Sequence, residues 1–436
     1  MHPANGGMLF LFYFVPMMKP FYVTTLLLIF LCLNLSAQKN AVPYAKNTIK
    51  ANRVKDYHNL VNNSINRNLS LPLTDSTEVN WQDAFNAMEL INYRSAAVDA
   101  KVRSAFKALE KRSTEFQRAF LELIYTNYSK EFVPQVVLFL KKINNTKLCA
   151  MCAEYLFMNN QKEKYRKLLM QRMNEIVAAT ADEKNNPFFT VLQNNLKQHN
   201  LINPPLKDFL KKNFLEHEII LYSFQRKNRN YPGLVMVRGK DGDFVKETNG
   251  NYFAVPQLAR SITNMPGYLT NGNTPQGIFK MFGFGNSKSS FIGPTTNIQM
   301  VMPFEKSEDQ PDSVTQFFGK AYASLVPDSW KKYYPIYESY YAGLAGRTEI
   351  IAHGTTVNPE YYKAQPYYPL TPTAGCLCTK EIWSTVDGKR MESDQQKLVN
   401  ALMAAGGAIG YCIVIEIDDK QKTVLLNEIL PFLKQR

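Results

Sequence analysis

The spacing of apolar residues changes character near residue 225, and this change most constrains what the chain can fold into. From about Trp81 to Leu215, apolar side chains recur every three or four residues, which is the period of amphipathic helices. After Asn228, short runs alternate apolar and polar residues, and turns rich in glycine and proline separate them. The pattern predicts an α+β multidomain protein, all-helical over 38–225 and mainly β over 226–436.

The first region carries the signals of consecutive short helices joined by short links. Asparagine pairs stand at the joints, where turn and capping residues are expected. Short links favour antiparallel helix pairs. A repeat-like arrangement stays an open alternative, because no strict repeat recurs. The predicted helices are Ser113–Tyr128, a helix opening near Pro134, Lys147–Met158, Lys162–Ala179 and Pro187–His199.

The second region carries strand and turn signals. The tetrapeptide Lys240–Asp243 is a strong turn signal and separates two alternating runs. The clearest predicted strands are Tyr231–Val237, Phe244–Lys246, Glu349–Ala352 and Ala408–Asp418, with a helix at Gln395–Ala405.

The start of the chain is typical of an export signal. The run Phe21–Leu35 is almost entirely apolar, follows a lysine and precedes the small residue Ala37 and polar chain. We therefore predict a signal peptide over 1–37 and an exported protein of the periplasm or cell envelope. A retained membrane anchor is the alternative, and a start at Met17 is compatible with the same signal. This segment is the only predicted membrane contact.

Charge and aromatic content indicate the class of partner. The chain carries a formal charge of +14 with 24 Tyr and 27 Phe, which suits nucleic acid, a membrane surface or a polyanionic polymer. Export argues against nucleic acid and favours an envelope polymer. Residues 38–225 hold 27 basic and 18 acidic residues, so we expect the helical region to dock an envelope protein or the anionic wall. Solvated helix faces are the alternative.

One histidine and one cysteine are candidates for covalent chemistry. His353 ends the predicted strand Glu349–Ala352, and Cys376 follows Gly375. An imidazole can convert a thiol into the nucleophilic thiolate. A glycine before the cysteine lets neighbouring N–H groups converge on an oxyanion. From spacing alone, a buried inert cysteine is the alternative.

Three segments carry a family resemblance. The sequence IAHGT at Ile351–Thr355, followed by TAGC at Thr373–Cys376, resembles the catalytic stretch of the YkuD-type L,D-transpeptidases. Upstream, NTPQGIF at Asn273–Phe279 resembles the family's TP-x-G-x-F turn. The likeness covers roughly Tyr231–Asp418. It implies that the β region is a YkuD-like catalytic domain.

The resemblance also implies a role for each site residue. The thiol would be the nucleophile and the imidazole its base, with a glycine carbonyl orienting the ring and backbone amides binding the oxyanion. The implied site comprises catalytic Cys376 and His353, orienting or oxyanion-binding Gly354 and Gly375, and substrate-binding Thr355 and Thr373.

The implied reaction is acyl transfer on peptidoglycan stem peptides. The family cleaves the bond between the third residue and D-Ala, forms a thioester on the cysteine, and passes the acyl group to an amine or to water. No metal and no cofactor is expected, because no second pair with metal spacing complements Cys149 and Cys152. The alternatives are an L,D-carboxypeptidase-type hydrolase and a non-catalytic peptidoglycan-binding module.

Other cysteines and two departures qualify the motif. Ala374 and Cys378 stand where the family carries a histidine and an arginine. Losing one such donor commonly costs about 2.7–4 kcal/mol of transition-state stabilisation. Because the nucleophile and its base are both retained, we expect a divergent enzyme. A Cys378–Cys412 disulfide is conceivable in an oxidising compartment. Cys149 and Cys152 lie one helical turn apart and are expected to be packing residues.

Overall fold

The computed structural model describes residues 42–179, 185–197, 201–305 and 322–434. The predicted signal segment 1–37 lies outside these ranges. Within them, none of the helices is both long enough and apolar enough to cross a membrane.

Helices fill the first region as predicted. Several begin at a polar side chain that accepts a backbone N–H of the first turn: Ser95 from Val98, Ser113 from Phe116, and Asn145 from Leu148. The helix Lys50–Asn59 continues through a π-helical stretch, Leu60–Arg67, into a last turn at Asn68–Ser70. The further helices of this region are Glu78–Leu90, Ala96–Ala108, Thr114–Asn127, Val133–Leu140, Thr146–Met158, Lys162–Ala179, Pro187–Lys197 and Lys207–Leu210.

The second region is built on a closed eight-stranded barrel, which confirms the predicted α+β class. Its strands are β1 (Ile219–Arg226), β2 (Gly233–Arg238), β3 (Val255–Leu258), β4 (Gly277–Gly285), β5 (Asn297–Val301), β6 (Ala352–His353), β7 (Leu377–Thr379) and β10 (Ile409–Asp418). They close in the order β1-β10-β4-β5-β6-β7-β3-β2. A separate hairpin joins β8 (Glu381–Trp383) to β9 (Arg390–Ser393). Helices lie at Glu338–Leu344, Asp394–Ala404 and Leu426–Leu433.

Two strand predictions differ from the structure, and strand β1 was not predicted. The strand predicted at Glu349–Ala352 is reduced to β6, because Glu349 has a left-handed φ of 62° that interrupts extended backbone. The strand predicted at Phe244–Lys246 forms only isolated bridges. β1 extends up to the predicted boundary at residue 226. All eight of its residues are buried, so its sequence shows no alternation that would predict a strand.

The helical region and the barrel region share a hydrophobic core. Met265, Tyr268 and Leu269 precede β4, yet they are buried in the cluster formed by the helices. The hydroxyl of Tyr268 donates to Glu154 of the helix Thr146–Met158 at 2.6 Å. The loop Pro266–Thr274 is therefore held by helical residues on one side, and it reaches the candidate site on the other.

Candidate active site

The two segments singled out in the sequence lie side by side in the barrel. β6 and β7 pair in parallel, with Ala352 opposite Leu377 and His353 opposite Cys378. Cys376 comes two residues before Cys378, or about 6.6 Å along a parallel strand. Cys376 lies immediately before β7, at the start of the strand that pairs with β6.

The imidazole of His353 has a defined orientation. Its Nδ1 lies 2.5 Å from the carbonyl oxygen of Gly354, which is the contact predicted for that glycine. A carbonyl can only accept, so Nδ1 carries the proton and Nε2 is the basic nitrogen. Burial lowers the pKa of His353 to about 4, against the opposing effect of the Gly354 carbonyl. The ring is therefore neutral at neutral pH, with Nε2 free of a proton.

A buried carboxylate fixes the backbone after His353. Glu381 accepts the Thr355 amide at 3.1 Å and the hydroxyls of Thr295 and Ser393 at 2.6 Å each. A Cβ on Gly354 would collide with the Glu381 side chain, so glycine is needed at this close approach. The hydroxyl of Thr355 is itself hydrogen-bonded within the fold, where it accepts the Val357 amide at 3.1 Å. Thr355 thus supports the site from inside.

The thiol of Cys376 is half-buried and points toward the chain ahead of β6. Its Sγ donates to the carbonyl of Glu349 at 3.4 Å. Burial raises the pKa of the Cys376 thiol, while the Ile351 backbone N–H and the charge of Arg347 act in the opposite direction. Among the described residues, no hydrogen bond joins this thiol to His353. The resting pair consists of a neutral thiol and a neutral imidazole.

Arg347 is a site residue that the sequence did not reveal. Its buried guanidinium donates to the carbonyls of Gly267, of Gly272 at 2.5 Å and of Asn273 at 2.7 Å. Burial lowers the pKa of Arg347 to about 10, although Glu338 and Cys376 raise it. The side chain thus places a cation beside the thiol and ties it to the loop Pro266–Thr274.

The nucleophile segment is bound by two threonines. The Thr373 hydroxyl donates to the Cys376 carbonyl at 2.9 Å and accepts the Gly375 amide at 3.0 Å. Thr274 donates to the Gly375 carbonyl at 2.8 Å. The Gly375 amide, predicted as an oxyanion donor, is therefore engaged at rest, and Thr373 supports the turn. The Cys376 amide makes no hydrogen bond within the described part of the chain.

Gly375 has a φ of 125°, a value that favours glycine. A Cβ at this position would collide with the Arg347 guanidinium and the Gly272 carbonyl. The glycine before the cysteine therefore does more than permit a turn, because it lets the guanidinium approach the nucleophile segment.

The remaining cysteines correct one prediction and confirm another. The five cysteines within the described ranges are all free thiols, so the suggested Cys378–Cys412 disulfide is wrong. Cys378 is buried, and burial raises the pKa of its thiol. Cys149 and Cys152 are fully buried in the helical core, as expected of packing residues. Ala374 is exposed beside the thiol.

No protein-family model, curated protein or solved structure matches the chain. Over the described residues, no group of three His, Cys, Asp or Glu side chains is placed to hold a metal ion. A neutral base, a thiol and a buried cation on neighbouring segments form a set suited to nucleophilic attack by sulfur.

Proposed function

We propose that the protein is an exported cysteine acyltransferase of the cell wall. It would cleave the bond between the third residue and D-Ala of peptidoglycan stem peptides through a Cys376 thioester. The observation that carries this proposal is the parallel pairing of β6 with β7, with the His353 ring oriented by the Gly354 carbonyl. The resemblance to YkuD-type L,D-transpeptidases supplies the substrate class, and a YkuD-like identity of the barrel is part of the proposal.

The reaction begins when Cys376 Sγ attacks the carbonyl carbon of the scissile amide. An S–C bond forms, the carbonyl π electrons move to oxygen, and the thiol proton passes to Nε2 of His353. Collapse of the tetrahedral intermediate breaks the C–N bond, and the imidazolium protonates the departing amino group of D-Ala. An amine of another stem, or water, then attacks the thioester and releases the cysteine.

The resting geometry requires a side-chain rotation before attack. The thiol donates to the Glu349 carbonyl, whereas the basic Nε2 belongs to His353 further along β6. Rotation about χ1 of Cys376 between staggered positions would turn Sγ away from residue 349. Substrate binding would complete the pair, since catalytic hydrogen bonds often tighten only in the bound complex.

Arg347 supports the proposal despite the missing motif arginine. Burial raises the pKa of Cys376, and the cation beside sulfur opposes that rise by stabilising the thiolate. Cys378, at the family's arginine position, is buried and provides no charge. Arg347 would supply this positive charge from a different place in the chain.

The direct test is release of D-Ala from tetrapeptide muropeptides, followed by mass spectrometry. We expect wild-type protein and Cys149→Ala to release D-Ala, and Cys376→Ala to release none. An acceptor amine in the mixture separates the two outcomes of the thioester, because a cross-linked product excludes pure L,D-carboxypeptidase-type hydrolysis. Undiminished release by Cys376→Ala would reject the assignment, as would a folded wild-type protein that releases no D-Ala.

The second candidate is a non-catalytic module that binds peptidoglycan. Its supporting observation is the resting state, in which burial keeps both groups neutral and no hydrogen bond links Cys376 to His353 within the described chain. Pull-down on isolated sacculi distinguishes the two proposals. Binding without turnover that survives thiol alkylation would favour the module.

The helical region is proposed to dock an envelope protein or the anionic wall. Its excess of 27 basic over 18 acidic residues supports this role. Exposed charges are screened within about 10 Å at 0.1 M salt. Sacculus binding should therefore weaken as salt rises, and salt-independent binding would contradict an electrostatic contact.

A further inference from the structure

A polar cavity lies on the loop that anchors the nucleophile segment. Its volume is about 270 Å³, and it is bordered by the loop Pro266–Thr274 and by the chain that follows β1. Four charged residues line it, two of each sign: Lys227, Arg229, Glu338 and Glu416. We call this cavity the Arg229 pocket.

Arg229 has one donor nitrogen without a partner. The side chain is 3% exposed, and its Nη2 donates to the Thr274 carbonyl at 3.3 Å and pairs with Glu416 at 3.1 Å. Its Nη1 is buried and makes no hydrogen bond. Buried guanidinium donors are normally satisfied, so Arg229, which lines the cavity, retains one donor that no described residue satisfies.

The other charged residues make the pocket suitable for one anionic and one cationic group. Lys227 is exposed and forms no ion pair with the described residues, so its ammonium is available to an anion. Glu338 accepts the Gln276 amide through Oε2 at 2.9 Å. Its Oε1 has no hydrogen-bond partner within the described ranges. A carboxylate ligand would satisfy the cations, and an ammonium would satisfy Glu338.

We propose that the Arg229 pocket binds the zwitterion of a small α-amino acid. The ligand carboxylate would accept from Arg229 Nη1 and from Lys227, and the ligand ammonium would donate to Glu338. Each charged group of the ligand then meets a protein group of the opposite charge. The volume of about 270 Å³ is ample for a small amino acid, and the site makes no use of Cys376 or His353.

An ammonium at this position would stabilise the ionised form of Glu338. Burial raises the pKa of Glu338 to about 7, and nearby Glu416 acts in the same direction. A cation placed against the carboxylate would favour its ionised form. A simple anion would instead lie against a negative neighbour and lose this interaction.

The pocket shares a wall with the candidate active site. Thr274 faces Arg229 through its carbonyl, while its hydroxyl holds the Gly375 carbonyl at 2.8 Å. Asn273 also lines the pocket, and its carbonyl accepts from Arg347 at 2.7 Å. A ligand in the Arg229 pocket would therefore contact the loop Pro266–Thr274, which positions the nucleophile segment.

Isothermal titration calorimetry on the full chain tests the proposal without any activity assay. The probes are L-alanine, D-alanine, acetate, methylammonium and inorganic phosphate. We expect at least one alanine enantiomer to bind at least tenfold more tightly than acetate, methylammonium or phosphate. Cys376→Ala should bind equally well, which keeps this test separate from the proposed function.

Two variants and a matched control locate the binding. Lys227→Gln changes an exposed residue and should weaken alanine binding at least tenfold, while Arg229→Gln should weaken it further in protein shown to be folded by circular dichroism. Lys288→Gln, an exposed lysine on another loop, should leave binding unchanged. Absence of alanine binding in folded wild-type protein would overturn the proposal. Equal affinity for phosphate, or unchanged binding in Lys227→Gln, would overturn it too.

Discussion

Two pairs of side chains that contain cysteine lie in different surroundings in this molecule. In the helical region, Cys149 and Cys152 share a helix and are wholly enclosed by apolar neighbours. In the barrel region, Cys376 is half-buried, next to a cation and close to the strand that carries His353. Burial raises the pKa of all three thiols.

The difference lies in what opposes burial. For Cys149, burial raises the pKa to about 12, and only Arg172 acts against it. For Cys376, a backbone N–H and Arg347 both oppose burial, and a neutral imidazole lies on the neighbouring strand. A reactive cysteine therefore depends on polar groups brought from distant parts of the chain, whereas cysteine spacing alone does not distinguish the two.

The largest expected effect is on the release of D-Ala, which should depend on Cys376 and not on Cys149. Cys376→Ala should lower D-Ala release by at least about 10⁴-fold, because the nucleophile is lost. Cys149→Ala should retain activity and lose about 1–2 kcal/mol of unfolding free energy through the small cavity it creates. Turnover by the two variants and urea unfolding provide the measurements. Equal activity in both would remove the contrast.

The second effect concerns the buried cation. Arg347→Gln should slow D-Ala release by about 10²–10³-fold, since the charge beside the thiolate is removed. The pKa of Cys376 should rise, which is measured from the pH dependence of iodoacetamide alkylation. Rescue of the alkylation profile by Arg347→Lys would support a charge effect over a packing effect.

Arg94→Gln is the control for that substitution, because it removes an arginine that forms its ion pairs within the helical region. Its alkylation profile should match that of the wild type. An unchanged Cys376 pKa in folded Arg347→Gln would show that the guanidinium serves only the loop.

The third effect is a dependence of folding stability on pH that comes from His353. The pKa of His353 is lowered from 6.5 to about 4 in the folded state, so the unfolded chain binds more protons between these values. Stability should therefore increase with pH across this window and be lost as pH falls toward 4, by roughly 3 kcal/mol. His353→Asn should flatten that part of the curve in urea unfolding. An identical pH slope in wild type and variant would contradict the buried neutral ring.

The smallest effect tests the support given by the helices. Lys147 donates to the Thr270 hydroxyl at 2.6 Å, one of the contacts that hold the loop Pro266–Thr274. Lys147→Met should cost about 0.5–1.5 kcal/mol of unfolding free energy. Lys141→Met, which replaces an exposed lysine, should cost little. Indistinguishable unfolding curves for the two variants would argue against a supporting contact.

Local patterns predicted the helices and the barrel strands β2 and β10 well. The capping serine Ser113 and the apolar period after it placed the helix Thr114–Asn127 to within a residue at each end. The continuous apolar run of β1 carries no strand period, so it was not predicted. β6 is short because of the left-handed backbone at Glu349, which the sequence does not signal.

The candidate site was predictable only in part. His353, Gly354 and Cys376 stand in short motifs, and the structure brings their segments together on β6 and β7. Arg347 was missed because its hydrogen-bond partners lie more than 70 residues away in the chain. The same reason hid Thr274, whose bond to Gly375 spans 101 positions. Contacts across such separations follow from the closed barrel.

The central claim is that Cys376, alone among the cysteines, forms an acyl thioester with a stem peptide. Rapid acid quenching of protein mixed with tetrapeptide muropeptides, followed by peptide mapping, measures this directly. We expect a tripeptide acyl adduct on Cys376, none on Cys149 or Cys152, and one D-Ala released per adduct. Folded protein without an adduct on Cys376, or with the adduct on another cysteine, would contradict it.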